Sequence, residues 1–191
     1  MKSAGLVLAA GAGRRMGTPK ALVRDAAGVT WAARTARLLT EAGCSPVVVV
    51  VGAAADQVRA ELSGEPVEVV EATDWNEGMG ASLRAGLRSA DAVSEAVVVL
   101  PVDVPGVTVD AVRRVVDQAG DDALVRATYD GAPGHPVVIG RDHWDGVIAS
   151  ARGDEGARGY LREHDVVLVE CGDVADGVDV DTVGELPPGH G

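Results

Sequence analysis

Apolar residues along this chain keep two rhythms that alternate with each other. Short unbroken runs at residues 6–10, 46–51 and 96–100 read as strands buried on both faces; the second holds five valines in a row. Between them the apolar positions fall at helical spacing. In residues 30–42, Trp31, Ala32, Thr35, Leu38, Leu39 and Ala42 share one side, and Gly43 marks the stop. Residues 54–62, 80–89, 109–119, 143–151 and 157–164 read as further helices, and residues 66–70 and 165–170 as strands. Residues 21–23 read as a short extended piece. Residues 123–128 and 136–139 flank Asp130-Gly131-Ala132-Pro133-Gly134 as an extended hairpin. Strand and helix taking turns in this way predicts one α/β domain over residues 1–191, with a mostly parallel sheet and helices on both faces. The Gly/Pro-rich tail, residues 186–191, is expected to fray.

Composition narrows this without changing it. A chain of 191 residues that is 47% hydrophobic can bury one full core. No apolar run approaches the roughly 20 residues of a membrane span, and no leader-like segment precedes the first strand. Cys44 and Cys171 stand in no metal spacing, so reduced thiols in a cytoplasmic protein are expected. Net charge of −12 argues against nucleic acid or an anionic membrane as partner. The charge is uneven: residues 1–60 carry eight Lys/Arg against three Asp/Glu, and residues 61–191 carry nine against 26. That distribution suits a small polyanion held near the N-terminal part, with carboxylates elsewhere for a metal. Basic positions use 15 Arg and only two Lys, so Lys20 answers a specific demand for a compact ammonium.

The positive part coincides with a glycine loop, Leu8-Ala9-Ala10-Gly11-Ala12-Gly13-Arg14-Arg15-Met16-Gly17-Thr18-Pro19-Lys20. Gly11, Gly13 and Gly17 allow close backbone approach, successive amides make an anion-binding concavity, and Arg15 and Lys20 add charge. Pro19 holds Thr18 extended, which stops a helix from running through. The spacings G-x-G-x-x-G and G-x-x-x-x-G-K-[ST] are both absent. Asp103 follows the wholly apolar strand at 96–100, at the sheet edge where α/β proteins bind ligands. There it either shapes a turn or holds Mg²⁺. The segment around Asn76, Gly78, Met79, Gly80 and Ser82 reads as a loop running into a helix start, with the Ser82 hydroxyl free. His135 opens an extended run. Asp154 either caps the helix after it or faces a ligand. Asp179 and Asp181 are either surface acids or a second metal contact.

Taken in order, these stretches resemble the MobA-like molybdenum-cofactor nucleotidyltransferases over residues 6–182. The loop matches L-A-A-G-x-G-x-R-M-G-x-x-K, and Leu100 to Pro105 resembles L-x-x-D-M-P with Val104 in place of Met. Residues 76–86 resemble N-x-G-M/L-G-x-S-L-x-x-G; Gly134-His135-Pro136, residues 153–158 and residues 179–182 match the family's G-H-P, G-D-x-G-A-R and D-I-D-T. Ala10 resembles the cytidylyl branch, since the guanylyl branch reads L-A-G-G. The resemblance implies a Rossmann-like, GT-A-like fold and Mg²⁺-dependent transfer of CMP from CTP to a phosphate of molybdopterin, releasing pyrophosphate. It implies catalytic roles for Arg15, Lys20 and Asp103, with metal on Asp103 and Asp181. Nucleotide contacts fall to Leu8, Ala9, Ala10, Gly11, Ala12, Gly13, Arg14, Arg15, Lys20, Glu71, Asn76, Gly78, Met79, Gly80 and Ser82. Acceptor contacts fall to His135, Asp154 and Arg158, and a contact with a molybdoenzyme or its chaperone is implied at delivery. The rival readings are a guanylyltransferase, a sugar-phosphate nucleotidyltransferase and, in another class, a pyridine-nucleotide-dependent oxidoreductase.

Overall fold

The computed structural model describes residues 2–90 and 94–191. Its strands are Ser3–Ala9 (β1), Val47–Val51 (β2), Glu68–Glu71 (β3), Ala96–Pro101 (β4), Leu124–Tyr129 (β5), Ala132–Gly140 (β6) and Val167–Glu170 (β7). The helices are Trp31–Glu41 (α1), Ala55–Glu61 (α2), Met79–Ser89 (α3), Val109–Val116 (α4), Trp144–Ser150 (α5) and Arg158–Arg162 (α6). One sheet of order β3-β2-β1-β4-β6-β5-β7 runs through the molecule, and β6 alone is antiparallel to its neighbours. This is the mixed α/β single domain that the apolar rhythm predicts.

Because side chains alternate along a strand, the apolar runs feed two cores at once. Val7, Ala9, Val49, Val51, Val98 and Leu100 pack with Trp31 and Leu39 of α1, Val58 of α2 and Val112 and Val115 of α4. Leu6, Leu8, Ala10, Val48, Val50, Val97 and Val99 pack on the other face with Leu83 and Leu87 of α3, Trp144 and Val147 of α5 and Leu161 of α6. The run of five valines is thus explained by burial on both sides, not by a single amphipathic face.

Three expectations are corrected. Residues 21 and 22 are not extended, and only Val23 is: Lys20–Leu22 is a 3₁₀ turn, started by Pro19, whose carbonyl accepts from the Leu22 amide at 2.9 Å. The hairpin turn is tighter than expected. Only Asp130 and Gly131 make it, both at positive φ, as a two-residue Asp-Gly turn favours, and the strand resumes at Ala132 through Pro133 and Gly134. The tail does not fray. Gly191 and Arg24 exchange both backbone hydrogen bonds at 2.9 Å, and His190 Nδ1 accepts from the indole N–H of buried Trp31 at 3.1 Å. A Trp N–H in a core needs an acceptor, and the tail supplies it.

The candidate nucleotide and metal site

Topology makes the crevice. From β1 the chain crosses to β2 on one side, while from β4 it leaves through α4 toward β5 on the other. Adjacent parallel strands whose connections diverge leave a cleft beyond their C-terminal ends. The loop after β1 and Asp103, two residues past β4, both lie there and line one cleft of about 540 Å³.

The loop is shaped by two residues. At Gly13, φ is +60° and a Cβ would fall on the Thr18 carbonyl, so only glycine fits; the Gly17 amide donates back to the Gly13 carbonyl at 2.9 Å. Met16, 4% exposed, is the loop's anchor in the α1 face of the core, while Arg14, Arg15 and Gly17 stay in solvent. The loop therefore folds back on itself, with its backbone and Arg14 and Arg15 at the solvent-facing edge of the cleft.

Lys20 closes the site from below. Its Nζ donates to Asp181 Oδ1 at 2.6 Å and to Asp103 Oδ2 at 2.9 Å, and Arg15 Nη2 reaches Asp181 Oδ2 at 2.9 Å. Asp181 arrives because the Val180 amide donates to the Asp103 carbonyl at 2.8 Å with Val180 buried between the two acids. Glu185 then ties down the Asp181 and Thr182 amides, each at 2.9 Å. Burial alone would lower the Lys20 ammonium. The hydrogen bond to Asp181 and the charge of Asp103 outweigh it and hold the ammonium above its usual range. The Lys20 bond holds the Asp181 carboxyl below the usual carboxylate range. Asp179, lining the same cleft, is pushed up by burial and by the charges of Asp103 and Asp181.

Of the expected nucleotide residues, Leu8 to Arg15, Lys20, Asn76, Gly78, Met79 and Ser82 all line this cleft. The helix α3 starts at Met79, one residue before the expected start, so Ser82 lies within its opening turn and Gly78 takes the N-cap position. Gly80 lies behind the wall, so close to the Arg152 backbone that a Cβ would meet it at 2.8 Å. Glu71 does not join them: it ends β3 in an ion pair with Arg59 at 2.8 Å. The expected acceptor set divides. Asp154 lines the main cleft against Gly78 and caps no helix, since α6 has no side-chain cap. His135 and Arg158 line a separate, smaller cavity of about 40 Å³ that shares Leu8 and Met79 with the first.

Three residues escape sequence reasoning. Trp75 lines the cleft and packs against Gly52 so tightly that a Cβ there would meet both Trp75 and Ala10 within 2.8 Å. Arg84 is buried at 8% exposure on α3, donating to the Ala151 carbonyl and to Asp74 at 2.8 Å and to Glu77 at 2.9 Å. It pins the Trp75–Glu77 turn that carries Trp75 and Asn76. Arg126 is the third and lines the smaller cavity. Their one sequence signal is a charge or large ring set at an inward-facing position.

Among the described residues no group of three His, Cys, Asp or Glu side chains is placed to hold a metal. Two carboxylates do converge on one cation, the Lys20 ammonium, which is oxygen chemistry suited to a hard divalent ion completed by water and phosphate. No helix among these residues is long and apolar enough to cross a membrane.

Against known proteins, a family profile described as "MobA-like NTP transferase domain" matches residues 5–167. The chain is 38% identical to a nicotine blue oxidoreductase of Paenarthrobacter nicotinovorans, over 95% of this chain and 93% of that one. It is 31% identical to a probable molybdenum cofactor guanylyltransferase of Mycobacterium ulcerans, over 98% and 94%. A crystal structure of a Mycobacterium tuberculosis H37Rv protein superposes with TM-score 0.84 at 29% identity, covering 97% and 95% of the two chains. The same protein in complex with manganese superposes with TM-score 0.80 at 28% identity, covering 97% and 96%.

Proposed function

The chain belongs to the MobA-like NTP transferase family, and from that premise we propose that it transfers CMP from CTP to a phosphorylated acceptor of the molybdopterin class. One observation carries the reading: beneath a glycine loop, Lys20 stands between Asp103 and Asp181 in the cleft at the β1–β4 divergence. An acceptor phosphate oxygen attacks the α-phosphorus, the bond to the β-phosphate breaks, and pyrophosphate leaves with the electron pair. No protein nucleophile is required, so positioning and charge carry the rate. The loop amides, Arg15 and Lys20 receive the charge that develops on the pyrophosphate. Asp103 and Asp181 are the residues that would hold a divalent cation, which would add positive charge at the phosphate oxygens. The manganese complex of the mycobacterial neighbour supports a divalent metal in this fold.

Base choice follows from Ala10. Its methyl is wedged with Trp75 over Gly52, which narrows that wall against a purine. CTP is expected to bind about tenfold or more tightly than GTP, since pocket shape commands about 1–3 kcal/mol. Calorimetry with the four nucleoside triphosphates checks this. Equal affinities would remove the cytidylyl assignment, and a GTP preference would align the chain with the guanylyltransferase relative.

The identity to the oxidoreductase relative, over nearly the whole of both chains, supports a second reading. Pyrophosphate released in the presence of Mg²⁺, a triphosphate and purified molybdopterin or phosphosugars supports transfer. Absorbance change of a reduced pyridine nucleotide without pyrophosphate supports oxidoreduction.

A further inference from the structure

The cavity beside the main cleft is apolar except at one end. Leu124 and Arg126 point to the same face of β5, one step of the strand repeat apart, and that face belongs to the α3–α5–α6 core. Arg126 therefore occupies a position that the pattern assigns to an apolar side chain. It faces Leu83, Val99, Val137 and Leu161 across the cavity. It is held there by carbonyls: Nε donates to Gly134 at 3.1 Å and Nη2 to Pro133 at 3.5 Å. No carboxylate pairs with it among the described residues, and none pairs with Arg158, which lines the same cavity. The one acid on the lining, Glu155, is engaged by Arg162 at 3.1 Å. A half-buried guanidinium, Arg126, and an exposed one, Arg158, thus meet at a small cavity with no carboxylate in ion-pair contact with either among the described residues. Asp179 acts on Arg158 only through space, and an anionic ligand would complete the arrangement.

We propose that Arg126 and Arg158 form an oxyanion subsite for a phosphate group of the acceptor, with the His135 ring on its wall. The word acceptor rests on the nucleotidyl-transfer reading; the anion site does not. A guanidinium fork offers paired N–H donors to phosphate oxygens, and two forks match a dianion. The cavity volume is about three times what one water needs, so it admits an anionic head group and leaves the rest of the acceptor in the main cleft. Leu8 and Met79, shared by both cavities, would then lie between that head group and the nucleotide. Burial and the charges of Arg126 and Arg158 push His135 down to about 4, so its ring is neutral near pH 7 and offers the anion a hydrogen bond.

The test uses inorganic phosphate on the intact ¹⁵N-labelled protein, following arginine Nε–Hε resonances assigned through Arg126→Lys and Arg158→Lys. The resonances of Arg126 and Arg158 should move along one saturation curve. Arg158→Gln, at an exposed position, should weaken that curve about tenfold or more, and Lys20→Ala should leave it in place. Two resonances that stay still, or that move only on a curve Lys20→Ala abolishes, would overturn the subsite. Phosphate held there by a protein that releases no pyrophosphate with any triphosphate leaves the subsite standing and removes the transferase reading. Pyrophosphate release with motionless Arg126 and Arg158 does the reverse.

Discussion

On the proposed nucleotidyl-transfer reading, Lys20 would do two jobs with one ammonium, and they would compete. In the free protein it neutralises Asp103 and Asp181, the carboxylates suited to a divalent cation. With a triphosphate in the cleft, that reading would place its charge on phosphate oxygens. Lys20→Ala should therefore tighten Mn²⁺ binding to the nucleotide-free protein, read by electron paramagnetic resonance, while lowering kcat for nucleotidyl transfer. Lys20→Arg should keep the lock and still lose much of kcat, because a broad planar guanidinium is a poor substitute for a point charge among crowded oxygens. Mn²⁺ affinity unchanged by Lys20→Ala would show that the ammonium does not guard the carboxylates. The lock is insensitive to ordinary pH. Asp181, held low, contributes above its usual 3.8 and loses that contribution only as pH falls toward the folded value. Lys20, held high, contributes below its usual 10.5 and loses it only as pH rises through the folded value. Lys20 stood out in the sequence, since lysine is rare here and follows Pro19. Asp181 reads there as a surface acid or a metal contact; that its carboxylate meets the Lys20 ammonium was not legible, because the contact spans 161 residues and depends on bonds such as that of Val180 to Asp103.

Among the elements, α3 carries the site's far wall. It begins at Gly78, φ +107°, and lies so close to β1 that a Cβ at Gly86 would strike the Leu6 side chain. Arg84 fastens its first half to the Trp75–Glu77 turn and to Ala151. Arg84→Met keeps the stem's apolar packing but removes the bonds to Asp74, Glu77 and the Ala151 carbonyl, the last of which still accepts from Arg152 at 2.7 Å, at a cost of about 1 kcal/mol. A lowered melting temperature together with a raised KM for the nucleotide is the expected outcome, kcat being little changed. A raised KM without loss of stability would mean that Arg84 touches the nucleotide itself. The helix and its bounds were readable from apolar spacing. The inward arginine was not, since residue type alone puts Arg at the surface. The 3₁₀ turn at Lys20–Leu22 was misread for a related reason: two buried residues with a half-buried one between them mimic the period of a strand.

For the molecule as a whole, the mostly parallel sheet with helices on both faces followed from the apolar rhythm, while the strand order and the joints between distant segments did not. Glu170, at the end of β7, is such a joint. Its carboxylate accepts from the Thr128 hydroxyl and from the amides of Asp130, Gly131 and Gly172, all within 3.1 Å, and these bonds hold it down to about 2. It ties the hairpin turn of β5 and β6 to the edge strand. Because the folded value is depressed, its contribution to stability is present above the usual 4.5 and is lost as pH falls through about 2. Glu170→Gln should lower the melting temperature at neutral pH, with the gap to wild type closing over that acid window. A gap that stays constant down to pH 2 would show that shape and not charge matters there. The sheet also has a seam. On one side of β4 lie β1, β2 and β3, from which the phosphate loop springs; on the other lie β6, β5 and β7, which bring Arg126 and His135. Heritable change can therefore fall on one half at a time. On the proposed reading, substitutions confined to residues 124–140 would retune what the protein accepts while the half that carries the glycine loop stays intact, and a lineage built on this sheet could diversify its chemistry without rebuilding it.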